Sequence, residues 1–490
     1  MKLASLVFTL TLLLLFLLEG SRVVLTNDEG IILEAAQRMA QGEQLYTDFF
    51  GYMSPGGYWL QSLAFRALGI SLAAGRAVVF TDFALQAAVI AWLGARFASR
   101  RAAIVAVLIF VGVHVPQPGL LTAQHRWDSA ALAIVSAALI TGGWPVLAGA
   151  CAAMAAICTP SVALAAVVTA GWLAYRRDWT ALPRYALGGL GTGAVAIAVL
   201  AGSGNLAGFF AQMRWLREHY SDVNVMPYGS IIGGWGALFT GQGAEFVISS
   251  LLLIGLALPA ILPVVVVPWA FWRKEPPIAY LGLVTLALVV SAYPRADVMH
   301  LAFFTALPLG LGTILLARHR IAGAIAVALS VVALLYLAGY AVARVKEYPV
   351  TSPLGTLRAS ANESYALHDL FARVRPGTGL YVHPYMPVLY FLTQAKNPTR
   401  YSYLAPGMMT QREELQTLQS LEQRPPEWVL YLPLDREEYL RVFPNAKDLD
   451  HHFSGIEQWI ARNYTATGVS VGGYQLRQRR GLVTSASTMP

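Results

Sequence analysis

The sequence predicts an all-α polytopic membrane domain followed by a small α/β domain outside the membrane. Three observations predict this class. Of the 490 residues, 56% are hydrophobic and 13% are charged, about half the charge of an average soluble domain. Long apolar runs fill the first two-thirds of the chain, and after about residue 343 the composition becomes richer in charge, Pro and Tyr. The low charge excludes a water-soluble globule of this size.

The apolar runs give the candidate spans, since crossing a bilayer takes about 20 mainly apolar residues. We predict about eleven spans, near 3–20, 72–95, 102–117, 128–141, 145–157, 160–175, 184–201, 246–271, 278–292, 301–317 and 321–342. The pair at 128–141 and 145–157 is short, with a turn between them. The N-terminus also fits a signal peptide, but no clear cleavage site follows it, so we predict a retained first helix.

Basic residues in the short loops predict the orientation. With the N-terminus inside, the basic residues of the short inside loops are Arg96, Arg100, Arg101, Arg176, Arg177, Arg184, Arg273, Lys274, Arg318 and Arg320. Lys and Arg concentrate on the cytoplasmic side of membrane proteins. Topology therefore explains the net charge of +8 without a nucleic-acid partner. A Gly- and Ala-rich, Lys-poor chain favours a bacterial inner membrane.

The same alternation places four loops and the C-terminal region outside. The loops are 21–71, 117–127, 202–245 and 293–299. We predict a transmembrane domain over 1–343 and a periplasmic α/β domain over 344–490, in which strand-like runs such as Gly379–His383 alternate with polar helical ones such as Gln411–Gln423. Residues after about 480 are expected to be disordered. Cys151 and Cys158 lie in apolar stretches, which excludes a disulfide framework and a cysteine-based zinc site.

The first outer loop is predicted to hold two helices at the membrane surface, one ending near Gly42 and one running from Pro55 to near Gly69. Asp28 and Glu29 open the first helix. In the structural interpretation, Glu29 forms a capping box with Thr26, and Asp28 suits the helix dipole. In the functional interpretation, these carboxylates follow a span directly, where a membrane-bound substrate meets an aqueous one. The two interpretations are compatible. A helix N-terminus keeps a nearby carboxylate ionised, and a base or a metal ligand must be ionised.

Three further groups of polar residues lie on the predicted outer side of the membrane. His125, Arg126 and Asp128 open a span, where an acid is costly unless it is paired or functional. Arg126 is either an interfacial anchor, a partner for Asp128 or a phosphate ligand.

The loop at 293–299 and its flank hold Arg295, Asp297 and His300, which either form a surface ion pair of little value or bind a phosphate. Tyr46 and Asp48 lie between the two loop helices, where Asp48 either starts a turn or contacts substrate. No ligand spacing defines a metal site, so a metal is undetermined.

The first outer loop carries a resemblance to a known superfamily. Asn27-Asp28-Glu29-Gly30, then Gly42, Leu45, Tyr46, Asp48 and Phe49, then Pro55, Tyr58 and Trp59 resemble the first outer loop of the GT-C membrane glycosyltransferases. Within them, the loop is most similar to the branch of protein O-mannosyltransferases and lipid A aminoarabinose transferases. The resemblance is good over the first 70 residues and extends loosely, through topology, to the rest of the chain. One departure is Met53-Ser54, where family members often carry a charged or polar pair, so a metal ligand or phosphate-binding Lys is not carried over to this place.

The resemblance implies an inverting transferase that moves a sugar from a polyprenyl-phosphate donor to a lipid, polysaccharide or protein acceptor at the outer face. Asp28 would be the general base, and Glu29 or Asp128 would orient the acceptor or hold a divalent cation. Arg295 and His300, with Arg126, would neutralise the leaving phosphate. Tyr46, Asp48, His125 and Asp297 are the remaining predicted substrate-binding residues.

Two other classes remain. A transporter or lipid flippase would place charges or broken helices near mid-membrane, whereas most outer acids here lie at junctions between loops and spans. A non-catalytic scaffold with an outer sensing domain would need no convergence of Asp28, Asp128 and Arg295.

Overall fold

The computed structural model describes residues 1–117, 119–226, 243, 246, 255, 258–446, 449 and 453–481. The helices up to residue 344 are α1 (Lys2–Glu19), α2 (Asn27–Ala40), α3 (Pro55–Leu68), α4 (Leu72–Phe97), α5 (Arg100–His114), α6 (His125–Gly142), α7 (Pro145–Cys158), α8 (Ala163–Tyr175), α9 (Ala181–Gly202), α10 (Leu206–Asn224), α11 (Leu262–Trp272), α12 (Pro276–Val290), α13 (Val298–Ala302), α14 (Ala306–Leu316) and α15 (Arg320–Arg344).

The rest of the chain is mixed. Its elements are β1 (Tyr348–Ser352), β2 (Gly355–Ala359), α16 (Ala361–Arg373), β3 (Leu380–His383), α17 (Val388–Thr393), α18 (Gln411–Gln423), β4 (Trp428–Tyr431), α19 (Arg436–Val442), α20 (Ser454–Asn463), β5 (Tyr464–Val471) and β6 (Tyr474–Arg479). The predicted α/β character of this region is confirmed.

The helical part is that of a multi-pass membrane protein. Four described helices, α1, α4, α9 and α15, are long and apolar enough to cross a membrane by length and composition. Shorter apolar helices accompany them at Pro145–Cys158, Pro160–Tyr175, Leu262–Trp272, Pro276–Val290 and Ala306–Leu316. The first part of the predicted span 246–271 falls largely outside the described residues, and the count of eleven stays a prediction.

Small residues allow a close helix contact between α7 and α9. A Cβ on Gly149 would lie 1.9 Å from the carbonyl oxygen of Tyr185, and one on Gly188 would lie 1.9 Å from that of Val146. Lipid chains are as apolar as the helices, so helix association in a bilayer depends on such close backbone packing rather than on hydrophobic burial. The Gly- and Ala-rich composition therefore has a packing role here.

The C-terminal region holds two small sheets. β1 and β2 form an antiparallel pair, and the second sheet has the order β3-β4-β6-β5, with β3 and β4 parallel and the other pairs antiparallel. The hairpin is anchored to the start of the first outer loop, since the Val23 amide donates to the Arg358 carbonyl at 2.7 Å and the Arg358 amide donates to that of Ser21 at 2.8 Å.

The first outer loop is more deeply buried than the sequence predicts. Every residue from Glu29 to Gln37 in α2 is buried, because the C-terminal region covers the face that an isolated surface helix would expose. One hydrophobic core contains both, with Ile32 and Leu33 of α2 clustered with Leu389 and Phe391 of α17. The prediction of two helices holds, and α2 is covered by the C-terminal region rather than exposed.

Candidate functional site

A cavity of about 470 Å³ lies where the four predicted outer loops meet the C-terminal region. The membrane-domain residues around it include Thr26, Asn27, Asp28, Gln124, His125, Arg126, Arg295, Asp297 and His300. Tyr52, Tyr220 and Asn224 also line it, and Met386, Tyr403, Val442 and Phe443 line it from the C-terminal region. Six of the ten sequence-predicted site residues thus line one cavity, although they come from three distant parts of the chain.

Asp28 lies in the first turn of α2 and is partly exposed. The Nε2 amide of Gln124 donates to its Oδ2 atom at 2.5 Å. The predicted capping box does not form, because Thr26 caps no amide with its side chain and Glu29 is bound elsewhere. Asp28 therefore presents a carboxylate to the cavity, held by one donor and favoured by the positive end of the helix dipole.

Glu29 points the other way, into a buried ion pair. The Arg76 guanidinium of α4 donates to both carboxylate oxygens of Glu29, at 2.7 and 2.8 Å, and the two side chains are 0 and 1% exposed. Arg76 also donates to the carbonyls of Glu19 and Arg22. Glu29 does not line the cavity. This pair attaches α2 to α4 and to the end of α1, so the carboxylate of Glu29 faces Arg76 and is not available to a ligand in the cavity.

Arg126 is a buried cation that no acid neutralises among the described residues. It is 5% exposed, and its Nη1 atom has no hydrogen-bond partner there. It opens α6 beside His125, whose Nδ1 atom contacts the Thr159 hydroxyl at 2.7 Å. A buried charge without a partner is strongly destabilising. Since Arg126 lines the cavity, an anion bound there would satisfy it.

Arg295, Asp297 and His300 form a connected group at the other side of the cavity. Asp297 Oδ2 accepts from Arg295 Nε at 2.7 Å, and Asp297 Oδ1 contacts His300 Nδ1 at 2.6 Å and accepts from the His300 amide at 2.9 Å. Arg295 also donates to the Val442 carbonyl at 2.9 Å and lies over the Phe443 ring. The cation of Arg295 is thus already compensated, unlike that of Arg126.

The protonation of this group follows from its contacts. Burial alone would raise the pKa of Asp297, but the hydrogen bonds from His300 and the charge of Arg295 lower that pKa overall. Burial, reinforced by Arg126, lowers the pKa of His300, although Asp297 acts in the opposite direction. A neutral His300 whose Nδ1–H donates to a carboxylate leaves Nε2 as an acceptor. His300 therefore carries little of the positive charge that was predicted for it.

Besides Glu29, three predicted residues lie away from the cavity. Asp128 is buried beside Asp82 of α4. The Tyr46 hydroxyl donates to the Met53 carbonyl at 2.7 Å within the first outer loop. Asp48 Oδ2 accepts from the Gln44 amide at 2.7 Å, which fits the turn interpretation. Asp48 lines a separate cavity between the far end of α2 and the C-terminal region.

Sequence reasoning missed several residues around the cavity. Asn27 stood in the motif that resembles the GT-C loop but was given no role, and the only signal for Gln124 was that it directly precedes His125. Tyr403 and Phe443 come from the C-terminal region and had no local signal. Within the described part of the chain, no group of three or more His, Cys, Asp or Glu side chains is placed to hold a metal ion.

The fold is similar to that of ArnT from Cupriavidus metallidurans, a GT-C glycosyltransferase. For the crystal structure bound to undecaprenyl phosphate the TM-score is 0.61 at 14% identity, with 99% of each chain covered. For the apo crystal structure it is 0.55 at 14% identity, covering 96% of this chain and 97% of that one. No family model and no curated protein sequence matches the chain. The predicted GT-C fold is confirmed, and at this identity the likeness concerns the fold.

Proposed function

We propose that this chain, which has the GT-C fold, is a membrane glycosyltransferase that moves a sugar from a polyprenyl-phosphate donor to an acceptor hydroxyl at the outer face of a bacterial inner membrane. One observation carries the proposal: a partly exposed carboxylate, Asp28, and a buried guanidinium without an acid partner, Arg126, line the same cavity. That pairing fits a reaction that needs a base at one end and an anion site at the other.

The donor class follows from the place of the cavity and from the structural neighbour. The cavity touches the residues that follow α1 and open α6, so a lipid tail would lie among the helices while its phosphate reaches the cavity. The ArnT structure with the higher TM-score holds undecaprenyl phosphate. A polyprenyl-phosphate sugar supplies its own activation, and the proposal needs no nucleotide.

The proposed reaction is a single displacement with inversion. Asp28 accepts the proton of the acceptor hydroxyl as its oxygen attacks the anomeric carbon. The bond between that carbon and the phosphate oxygen breaks, and its electron pair leaves on polyprenyl phosphate. Arg126 neutralises the leaving phosphate with charge-assisted hydrogen bonds. The proton passes from Asp28 to solvent after the product leaves.

The C-terminal region would cover the cavity on its outer side and contact the acceptor. Val442 and Phe443 line the cavity and contact Arg295, and Asn445 donates to the Val225 carbonyl at 2.8 Å. We assign the transmembrane domain to residues 1–343 and the periplasmic domain to residues 344–490. The acceptor is a lipid, a polysaccharide or a protein hydroxyl, and the experiment below separates the three.

The test is a transfer assay in membranes that contain the wild type, Asp28→Asn or Asp48→Asn. Radiolabelled polyprenyl-phosphate sugars are offered, and lipid, polysaccharide and protein fractions are counted with and without a chelator. We expect Asp28→Asn to lower transfer by about 10²- to 10⁴-fold, the usual contribution of a general base. Asp48→Asn, the same change outside the cavity, should transfer like the wild type.

Two results would contradict the proposal. If Asp28→Asn inserts normally and transfers as fast as the wild type, Asp28 is only a helix-terminal acid. If wild-type membranes transfer no sugar from any donor, the result would contradict the glycosyltransferase proposal and favour a transporter. Loss of transfer with the chelator would show a need for a divalent cation.

A further inference from the structure

One wall of the cavity consists of hydrogen-bond acceptors. Asn27, Asp28 and Gln124 line this wall. Gln124 is buried and lies directly before α6, so the backbone of the helix end fixes its place. Its Nε2 amide donates to Asp28 at 2.5 Å, which connects the loop before α6 to the N-terminus of α2. The proposed base is thus held from a different part of the chain.

The acceptors on this wall lack donors. Asn27 Oδ1 and Gln124 Oε1 are buried and, like the Thr26 hydroxyl beside them, have no hydrogen-bond partner within the described ranges. Because Nε2 of Gln124 is committed to a carboxylate, which only accepts, the orientation of the amide is fixed and Oε1 is free. Leaving a buried acceptor unsatisfied costs about 1–3 kcal/mol. Two such atoms beside the proposed base indicate that a ligand supplies the donors.

The chemistry of that ligand is limited by what surrounds it. The wall offers carbonyl and carboxylate oxygens and the Thr26 hydroxyl, and the cavity also holds the uncompensated cation of Arg126, which the proposed function assigns to phosphate. Groups that donate hydrogen bonds without negative charge fit carbonyl oxygens. Sugar hydroxyls have this property, and a sugar bonded to the phosphate would lie beside Asp28.

We propose that Gln124 is a positioning residue for Asp28, and that the side-chain carbonyl oxygens of Gln124 and Asn27 bind hydroxyl groups of the transferred sugar. This rests on the proposed function and deepens it, since it makes the sugar one that presents hydroxyl groups to this wall. Gln124 then has two roles. Its amide nitrogen orients the base, and its amide oxygen accepts a hydrogen bond from a hydroxyl group of the sugar.

The first experiment tests the positioning role through the pH profile. In Gln124→Glu, a carboxylate of the same shape replaces the amide beside Asp28, and two carboxylates at this distance share a proton. We expect the acidic limb of kcat/KM to move to higher pH by about one unit or more. Gln41→Glu adds the same charge at the exposed far end of α2 and should leave the limb in place. An unchanged limb in a folded Gln124→Glu variant would overturn the positioning role.

The second experiment tests whether this wall binds hydroxyl groups of the sugar. Donors that lack single sugar hydroxyls are compared with the full sugar, in the wild type and in Asn27→Ala. We expect the wild type to disfavour at least one deoxy donor by roughly 10-fold or more in kcat/KM, and Asn27→Ala to lose that preference. Asn27→Asp keeps an acceptor and should keep the preference, which separates recognition from a folding defect.

The outcomes distinguish this inference from the proposed function. Wild-type transfer with a preference that survives in Asn27→Ala would overturn the binding of hydroxyls by this wall and leave the glycosyltransferase assignment intact. A wild type that transfers no sugar would overturn both.

Discussion

Two adjacent carboxylates at the start of α2 have different roles because they face different partners. Asp28 faces the cavity and receives one hydrogen bond from Gln124. Glu29 is enclosed with Arg76, which also binds the carbonyl groups of Glu19 and Arg22. A buried ion pair contributes little net stability, but removing one partner leaves an isolated charge and is expensive. Glu29 and Arg76 therefore fix the helix that carries Asp28.

We expect Arg76→Met to destabilise the protein by about 3–5 kcal/mol, because Glu29 is then left buried without a cation. The double variant Glu29→Gln/Arg76→Met should recover part of this loss, since it buries no charge. Thermal unfolding in detergent would measure both. A double variant less stable than Arg76→Met would contradict the isolated-charge explanation. Transfer activity in the recovered double variant would separately show that Glu29 is not a catalytic residue.

Arg126 should contribute directly to the binding of the donor's phosphate. We expect Arg126→Gln to weaken binding of polyprenyl phosphate by roughly 10- to 100-fold, the effect of losing a hydrogen bond to a charged group. Titration of the purified protein with the lipid would measure it. Arg101→Gln removes an exposed Arg from the predicted inner side and serves as the control. Equal affinity in Arg126→Gln and the wild type would show that the phosphate lies elsewhere.

At the scale of elements, the contact between α2 and α17 sets how the C-terminal region covers the first outer loop. A Cβ on Gly30 would lie 2.0 Å from the amide nitrogen of Val388. Phe65 of α3 stacks on Phe391 of α17 with ring centroids 5.7 Å apart. Gly30 follows Asp28 by two residues, so the spacing of the two helices also determines where the carboxylate lies.

We expect Gly30→Ala to lower both stability and transfer, because the methyl group overlaps backbone atoms that cannot move without separating the helices. The stability loss should be about 1–3 kcal/mol or more, the usual cost of overpacking. Gly191→Ala is the matched control, since a Cβ there meets nothing within 4 Å in α9. The two variants are compared by thermal unfolding and by transfer rate. Unchanged transfer in Gly30→Ala would mean that this contact does not position Asp28.

The buried His383 of β3 makes the stability of the folded protein depend on pH. His383 stacks on Tyr431 of the neighbouring strand, and burial lowers its pKa although Glu457 acts in the opposite direction. The unfolded chain therefore takes up a proton near pH 6.5, and the folded chain takes it up only at a lower pH. We expect stability to fall from pH 7 to pH 5, and to fall less in His383→Gln. Melting temperatures at several pH values would check this, and parallel curves would contradict it.

At the scale of the whole molecule, the sequence was informative wherever a feature is local. The apolar runs, the α/β character after residue 344 and the polar residues that follow spans were all readable. Partners distant in the chain were not. Nothing near Glu29 indicates Arg76, 47 residues later, and nothing in α2 indicates that Val388 would pack on Gly30. The cavity joins segments from both ends of the chain, and its cover from the C-terminal region could not be predicted from local patterns.

Two separate cavities of the helical domain make its orientation in the membrane testable. Arg96, Arg176 and Pro276 line one cavity, so three predicted inner loops meet at the same end, whereas Asp28, Arg126 and Arg295 meet at another cavity. If basic loops face the cytoplasm, a cysteine at exposed Tyr365 should react with an impermeant maleimide in intact cells. A cysteine at exposed Trp179, between α8 and α9, should react only after permeabilisation. Both are placed in a chain with Cys151→Ser and Cys158→Ala. Labelling of Trp179→Cys alone in intact cells would invert the topology and place the proposed site on the cytoplasmic side.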